Sequence, residues 1–77
     1  MATRYYFNVR RGEEFIADSH GDELPDLAAA KAEAVLILAE MIYVARLCFK
    51  SNLAIEVGDD TGTQLLMIKA TFEIIEL

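Results

Sequence analysis

The segment Asp18-Ser19-His20-Gly21-Asp22-Glu23 gathers three carboxylates and the sole histidine of the chain, and is the one place where residue types alone invite metal chemistry. Carboxylate oxygens suit Ca²⁺, Mg²⁺ or Mn²⁺, and an imidazole at His20 would add affinity for a transition metal. The spacing lacks the ligand ladder and closing glutamate of an EF-hand, and Gly beside Asp is ordinary turn composition. A solvated turn is the expectation, and no metal or other cofactor is assigned.

A second acidic group, Asp59-Asp60 between Gly58 and Gly62, reads as a hairpin turn because Asp and Gly tolerate the backbone angles that tight turns demand. Together with Glu56 it can join the first loop only if both lie at the same end of a sheet. Catalysis asks for a nucleophile, a base and an orienting group that converge. The only cysteine, Cys48, falls on an apolar helical stripe far from His20 in sequence, where a buried thiol is inert. No enzymatic activity and no catalytic residue is expected.

Arg4, Tyr6, Asn8 and Arg10 alternate along one strand, and basic residues interleaved with an aromatic are how some sheets clamp single-stranded RNA. One aromatic makes a small platform, however. Thirteen acidic against seven basic residues give a net charge of −6, which repels a phosphate backbone and argues against nucleic acid.

The elements that must carry these groups follow from periodicity. The 77 residues form a single domain, and a chain of this length buries only about 60 to 65% of the surface it exposes unfolded. A lone cysteine closes no internal disulfide and no CxxC or HxxxH spacing offers zinc, which leaves oligomerisation as the route to extra stability. No apolar run resembles a signal peptide or reaches the roughly 20 residues of a membrane span, so the expected compartment is the cytoplasm.

Residues 4 to 10 alternate as a half-buried strand, with Tyr5, Phe7 and Val9 on one face. Gly12 then turns the chain into a second strand at about Glu14 to Ala17, and the loop DSHGDELP follows. Pro25 discourages helix at Leu24, and Asp26 is placed as N-cap of a long helix to Lys50, whose far end carries Arg46 and Lys50 against its negative pole. Leu53, Ile55 and Val57 alternate in a third strand, and Gln64 onward forms a fourth. Unbroken to Glu76, that strand would exceed the usual length, so a bend or a projecting tail is expected. The fold class is α+β in the order β-β-α-β-β, a four-stranded antiparallel sheet with the helix across one face.

The helix is apolar on two sides. Leu27, Ala30, Ala34, Ile37, Leu38, Met41, Ala45 and Cys48 make a core stripe at 3-4-3-4 spacing. Opposite stand Ala32, Leu36, Ala39, Tyr43 and Leu47, where a surface helix normally carries charge. Burying Leu36, Tyr43 and Leu47 in two symmetric copies would yield on the order of 10 kcal/mol gross, comparable to the cost of association. The candidate interface is Leu36, Ala39, Tyr43 and Leu47, with Tyr43 as anchor.

Arg4-Tyr5-Tyr6-Phe7-Asn8-Val9-Arg10-Arg11-Gly12, and Gly21-Asp22-Glu23-Leu24-Pro25-Asp26-Leu27 followed by Ala29, Ala30, Glu33 and Ala34, resemble a family of short bacterial proteins of unknown function. That family shows an opening like R-Y-F-F-H-x-R-x-G and a middle like G-x-E-L-P-D-L-x-A-A-x-x-E-A. The likeness continues into Ile55-Glu56-Val57 and the Asp60-Thr61-Gly62 turn. It departs at Asn8, where the family usually has histidine, and at Ile68-Lys69-Ala70, where proline is frequent. The resemblance implies a fold and a bacterial origin, and no mechanism.

The expectation is thus a cytoplasmic protein-interaction module, a homodimer through the outer helix face, the last strand or both. Two alternatives compete: an acidic, antitoxin-like regulator that masks a basic partner by charge complementarity, and a weak RNA-binding sheet face.

Overall fold

The computed structural model describes residues 2–44, 50–73 and 75–77. Five strands and one helix follow in the order β1 (Thr3–Arg11), β2 (Glu14–Ile16), β3 (Asp22–Leu24), α1 (Leu27–Val44), β4 (Lys50–Asp59) and β5 (Gln64–Glu73). All strand pairs are antiparallel, in the order β2-β1-β4-β5, with β3 also paired to β1. The α+β arrangement with one helix on one sheet face holds; the strand count is five rather than four.

The additional strand lies within the segment expected to be a loop. After the β1–β2 turn, where Gly12 takes φ of 61°, β2 pairs with Val9–Arg11 and the chain leaves the sheet edge. It then returns as β3 beside Thr3–Tyr5 on that same edge of β1. The two short strands therefore form one interrupted column. Pro25 contributes to the outcome, since the residue before a proline favours extended backbone and Leu24 is the last residue of β3.

Strand β4 lies between β1 and β5 and supplies the centre of the core. Leu53, Ile55 and Val57 are at most 2% exposed, on the face shared with Tyr5, Phe7, Val9, Leu66, Ile68 and Ala70. The helix crosses this face chiefly over β4. Ala30, Ala34 and Leu38 are buried there, with Ile37 and Met41 packed against the cluster. Two alanines at the closest approach let the helix sit low on branched strand residues, an arrangement that alternates small and large side chains across the contact. Leu27, assigned to the same stripe, is 38% exposed at the first turn, while Ala45 and Cys48 lie outside the described residues.

The N-cap is realised: Asp26 Oδ1 accepts the Ala29 N–H at 2.9 Å and the Asp26 carbonyl accepts the Ala30 N–H at 3.2 Å. At the other end the helix does not reach Lys50. It is described to Val44, Arg46 is outside the described residues, and Lys50 pairs with Glu73 as the first residue of β4 instead of closing the helix. Pairing with β5 thus begins three residues before the alternation at Leu53 announces a strand. Strand β5 ends at Glu73, and residues 75–77 are not in a strand, so the extension to Glu76 is not formed.

Candidate functional site

The acidic loop at 18–23 is a structural joint. Where β2 has ended and β3 has not begun, Phe7 turns its N–H toward the vacated edge, and Asp18 Oδ2 accepts it at 3.1 Å. Asp18 Oδ1 accepts the N–H groups of His20 and Gly21, both at 3.1 Å, and the Asp18 N–H donates to Asn8 Oδ1 at 2.9 Å. Burial opposes ionisation of Asp18, yet the N–H groups of Gly21, Phe7 and His20, with the His20 charge, outweigh it and hold the carboxyl below its ordinary value. A carboxylate that already accepts three N–H bonds has little left for a metal. Asn8 supplies the acceptor that fixes Asp18.

Gly21 is fitted just as closely. Its φ is 69°, and a Cβ there would stand 2.8 Å from the Tyr5 carbonyl oxygen and 2.9 Å from Arg4 Cγ. Arg4 closes the loop by donating to the His20 carbonyl at 2.8 Å and pairing with Glu23 at 3.2 Å. The second acidic group is likewise spent on its own turn. Asp59 Oδ1 accepts from the Thr61 hydroxyl at 2.6 Å and from the N–H groups of Thr61 and Thr63. The Thr61 hydroxyl is the leading cause that holds the Asp59 carboxyl below its ordinary value, with those two N–H groups assisting against desolvation.

The two acidic loops do meet at one end of the sheet, since Asp22 and Asp59 flank Tyr5 on a single rung. Two strand spacings separate their backbones by about 10 Å. Among the described residues no three His, Cys, Asp or Glu side chains gather as metal ligands would.

On the sheet face away from the helix, Arg4, Tyr6, Asn8 and Arg10 stand together as the alternation requires. Both arginines make ion pairs. Arg10 Nε pairs with Glu56 one rung along β4, and its guanidinium lies 4.7 Å from the centroid of Phe15 on β2. Glu56, on this outer face, is 8% exposed, the one buried charged residue among those described, and Arg10 is what makes that burial tolerable. Phe15 was not singled out in the sequence. Its cross-strand position opposite Arg10 becomes visible only once the β1–β2 register is fixed.

The outer face of α1 carries large apolar side chains in solvent. Leu36 is 53% and Tyr43 67% exposed, and Ala39 is exposed between them; Leu47 is outside the described residues. The surface is wider than the sequence stripe indicated. At roughly 100° per residue, Ala28, Ala32, Val35, Leu36, Ala39, Ile42 and Tyr43 share about a third of the helix circumference, and all seven are exposed. The charged residues of α1 border that arc, Lys31 on one side and Glu33 and Glu40 on the other. Val35 and Ile42 were missed, although the 4-3-4-3 spacing of Ala28, Ala32, Val35, Ala39 and Ile42 is in the sequence. No described helix is long and apolar enough to cross a membrane.

A sequence family described as a domain of unknown function (DUF6894) matches residues 4–71. No curated protein and no solved structure matches the chain.

Proposed function

We propose, for a chain that belongs to the DUF6894 family, that it is a protein-interaction module which forms a homodimer through the outer face of α1 and works by binding rather than by catalysis. The observation that carries this is the charge-free arc of seven exposed apolar residues on a helix whose opposite side already covers the sheet. An exposed apolar surface of this kind marks an interaction site in a soluble domain. A second copy is the partner that best fits it. Ala28, Ala32 and Ala39 leave gaps into which Val35, Ile42 and Leu36 of an identical helix can pack about a two-fold axis. Eighteen residues give a seam about 27 Å long. A single-helix seam of that length is at the small end of protein interfaces, and the outer edge of β5 can add to it. The cytoplasm of a bacterium is the setting that the unpaired cysteine and the family resemblance support.

Sedimentation velocity across concentration, at low and high salt, tests this. Each copy carries a charge of −6, so association through an apolar seam should strengthen as salt screens the repulsion. The double change Leu36→Glu and Tyr43→Glu should leave a folded monomer. A double variant that dimerises with unchanged affinity would show that the helix face is the wrong surface.

A second reading rests on that same charge: an acidic regulator that covers a basic protein. It forecasts the opposite salt dependence, with a basic partner that co-purifies at low salt and is lost at high salt. The RNA-binding reading is weakened by the overall charge of −6 and by the pairing of Arg4 with Glu23.

A further inference from the structure

We infer that the open face of the sheet holds a site for a small oxyanion, a carboxylate or phosphate group, seated over Ala54 between Arg10 and Lys69. This is independent of how the helix face is used. Register places Arg10, Ala54 and Lys69 on one rung of β1, β4 and β5, so two cationic side chains rise on either side of a methyl group. Their backbones are about 10 Å apart, and both side chains are long enough to close on a group of a few ångströms between them. A groove of about 290 Å³ runs here, lined by both cations with Gly12, Asn52 and Thr71 at one end. Asn52 and Thr71 oppose each other on the adjoining rung, adding an amide and a hydroxyl.

Four features favour an oxyanion over other occupants. The polar side chains that line the groove are donors: a guanidinium, an ammonium, an amide and a hydroxyl. The nearest carboxylate, Glu56, binds Arg10 through Nε, and the Phe15 ring lies beside the guanidinium, so the fork is held in position while its terminal nitrogens stay available. The Lys69 side chain makes no ion pair or hydrogen bond among the described residues. Arg10 and Lys69 against the single carboxylate of Glu56 leave this patch net positive in a chain with almost twice as many acidic as basic residues.

Titration of ¹⁵N-labelled full chain with sodium phosphate and, separately, sodium acetate, at ionic strength fixed with chloride, tests the site. Saturable shifts confined to the amides of Gly12, Asn52, Ala54, Lys69 and Thr71 are expected. Lys69→Met should weaken them roughly tenfold, and Thr71→Val less. Saturation by phosphate alone would identify a phosphate-bearing ligand, and by acetate alone a carboxylate. Absence of saturation with either anion, or shifts equally strong in Lys69→Met, would overturn the assignment.

Discussion

The Asp18 carboxylate takes the Phe7 N–H at 3.1 Å on the side of β1 where no strand runs, and so one side chain does for a single rung what a neighbouring strand does elsewhere. The loop that looked most like a metal site is built around that substitution. Its acidity serves the backbone.

Acidification should expose this role. The folded-state value of Asp18 is lowered from its ordinary 3.8, so the unfolded chain takes up the proton first. The stability this carboxylate contributes is fully present above about 3.8 and is lost as pH falls from there through the lower folded value. Asp18→Asn should cost about 1 to 2 kcal/mol at neutral pH and flatten the acid limb of a melting-temperature profile. An unchanged acid limb in the variant would assign the pH dependence to other groups.

Gly21 and Gly12 offer a paired test of close packing. Both take positive φ, but a Cβ at Gly12 meets nothing within 4 Å, whereas at Gly21 it would run into backbone. Gly12→Ala should cost about 1 kcal/mol in urea melts, from conformation alone. Gly21→Ala should cost roughly 3 kcal/mol, because the Tyr5 carbonyl oxygen at 2.8 Å cannot rotate away. Equal losses would mean that the β2–β3 loop shifts freely.

The Arg10 and Glu56 pair should behave as a coupled unit. Arg10→Met alone leaves a nearly buried carboxylate without its cation and should cost roughly 2 kcal/mol. Adding Glu56→Met should recover part of that, with a coupling on the order of 1 kcal/mol in a double-mutant cycle. Additive losses would show that solvent already screens the pair.

Asp26→Ala removes the acceptor for the Ala29 N–H and should lower stability by about 1 kcal/mol. Asp26→Ser, which restores an N-cap acceptor, should recover most of it. If serine fails where alanine fails, the carboxylate acts through charge at the helix terminus rather than through the hydrogen bond.

These residues also mark how far the chain could be read without coordinates. Asp26 as cap, Gly12 in its turn, and the alternation of Tyr5, Phe7 and Val9 are local signals, and each was legible because the physics that produces it spans only a few positions. Strand β3 was not. Asp22-Glu23-Leu24 has three residues, too few for alternation to register, and it is extended because β1 lies beside it. The assignment of Lys50 to the helix failed for a related reason: one residue carries no period of its own, and its pairing with Glu73 makes it the start of β4. The outer helix face was visible in Leu36, Ala39 and Tyr43 because one helix on one sheet needs only one apolar side. The groove over Ala54 was invisible, since it joins three strands distant in sequence.

The interleaving of β4 between β1 and β5 also orders the chain's own synthesis. Tyr5 leaves the ribosome ahead of α1, yet its β4 partner Asp59 is made only after the whole of α1 and nearly all of β4. Until then β1 has only the short β2 and β3 for company, and Tyr5 and Phe7 have no core to enter. The helix can form early, whereas the sheet must wait for its middle strand, so a nascent chain stalled before β4 carries an aromatic strand open to other chains.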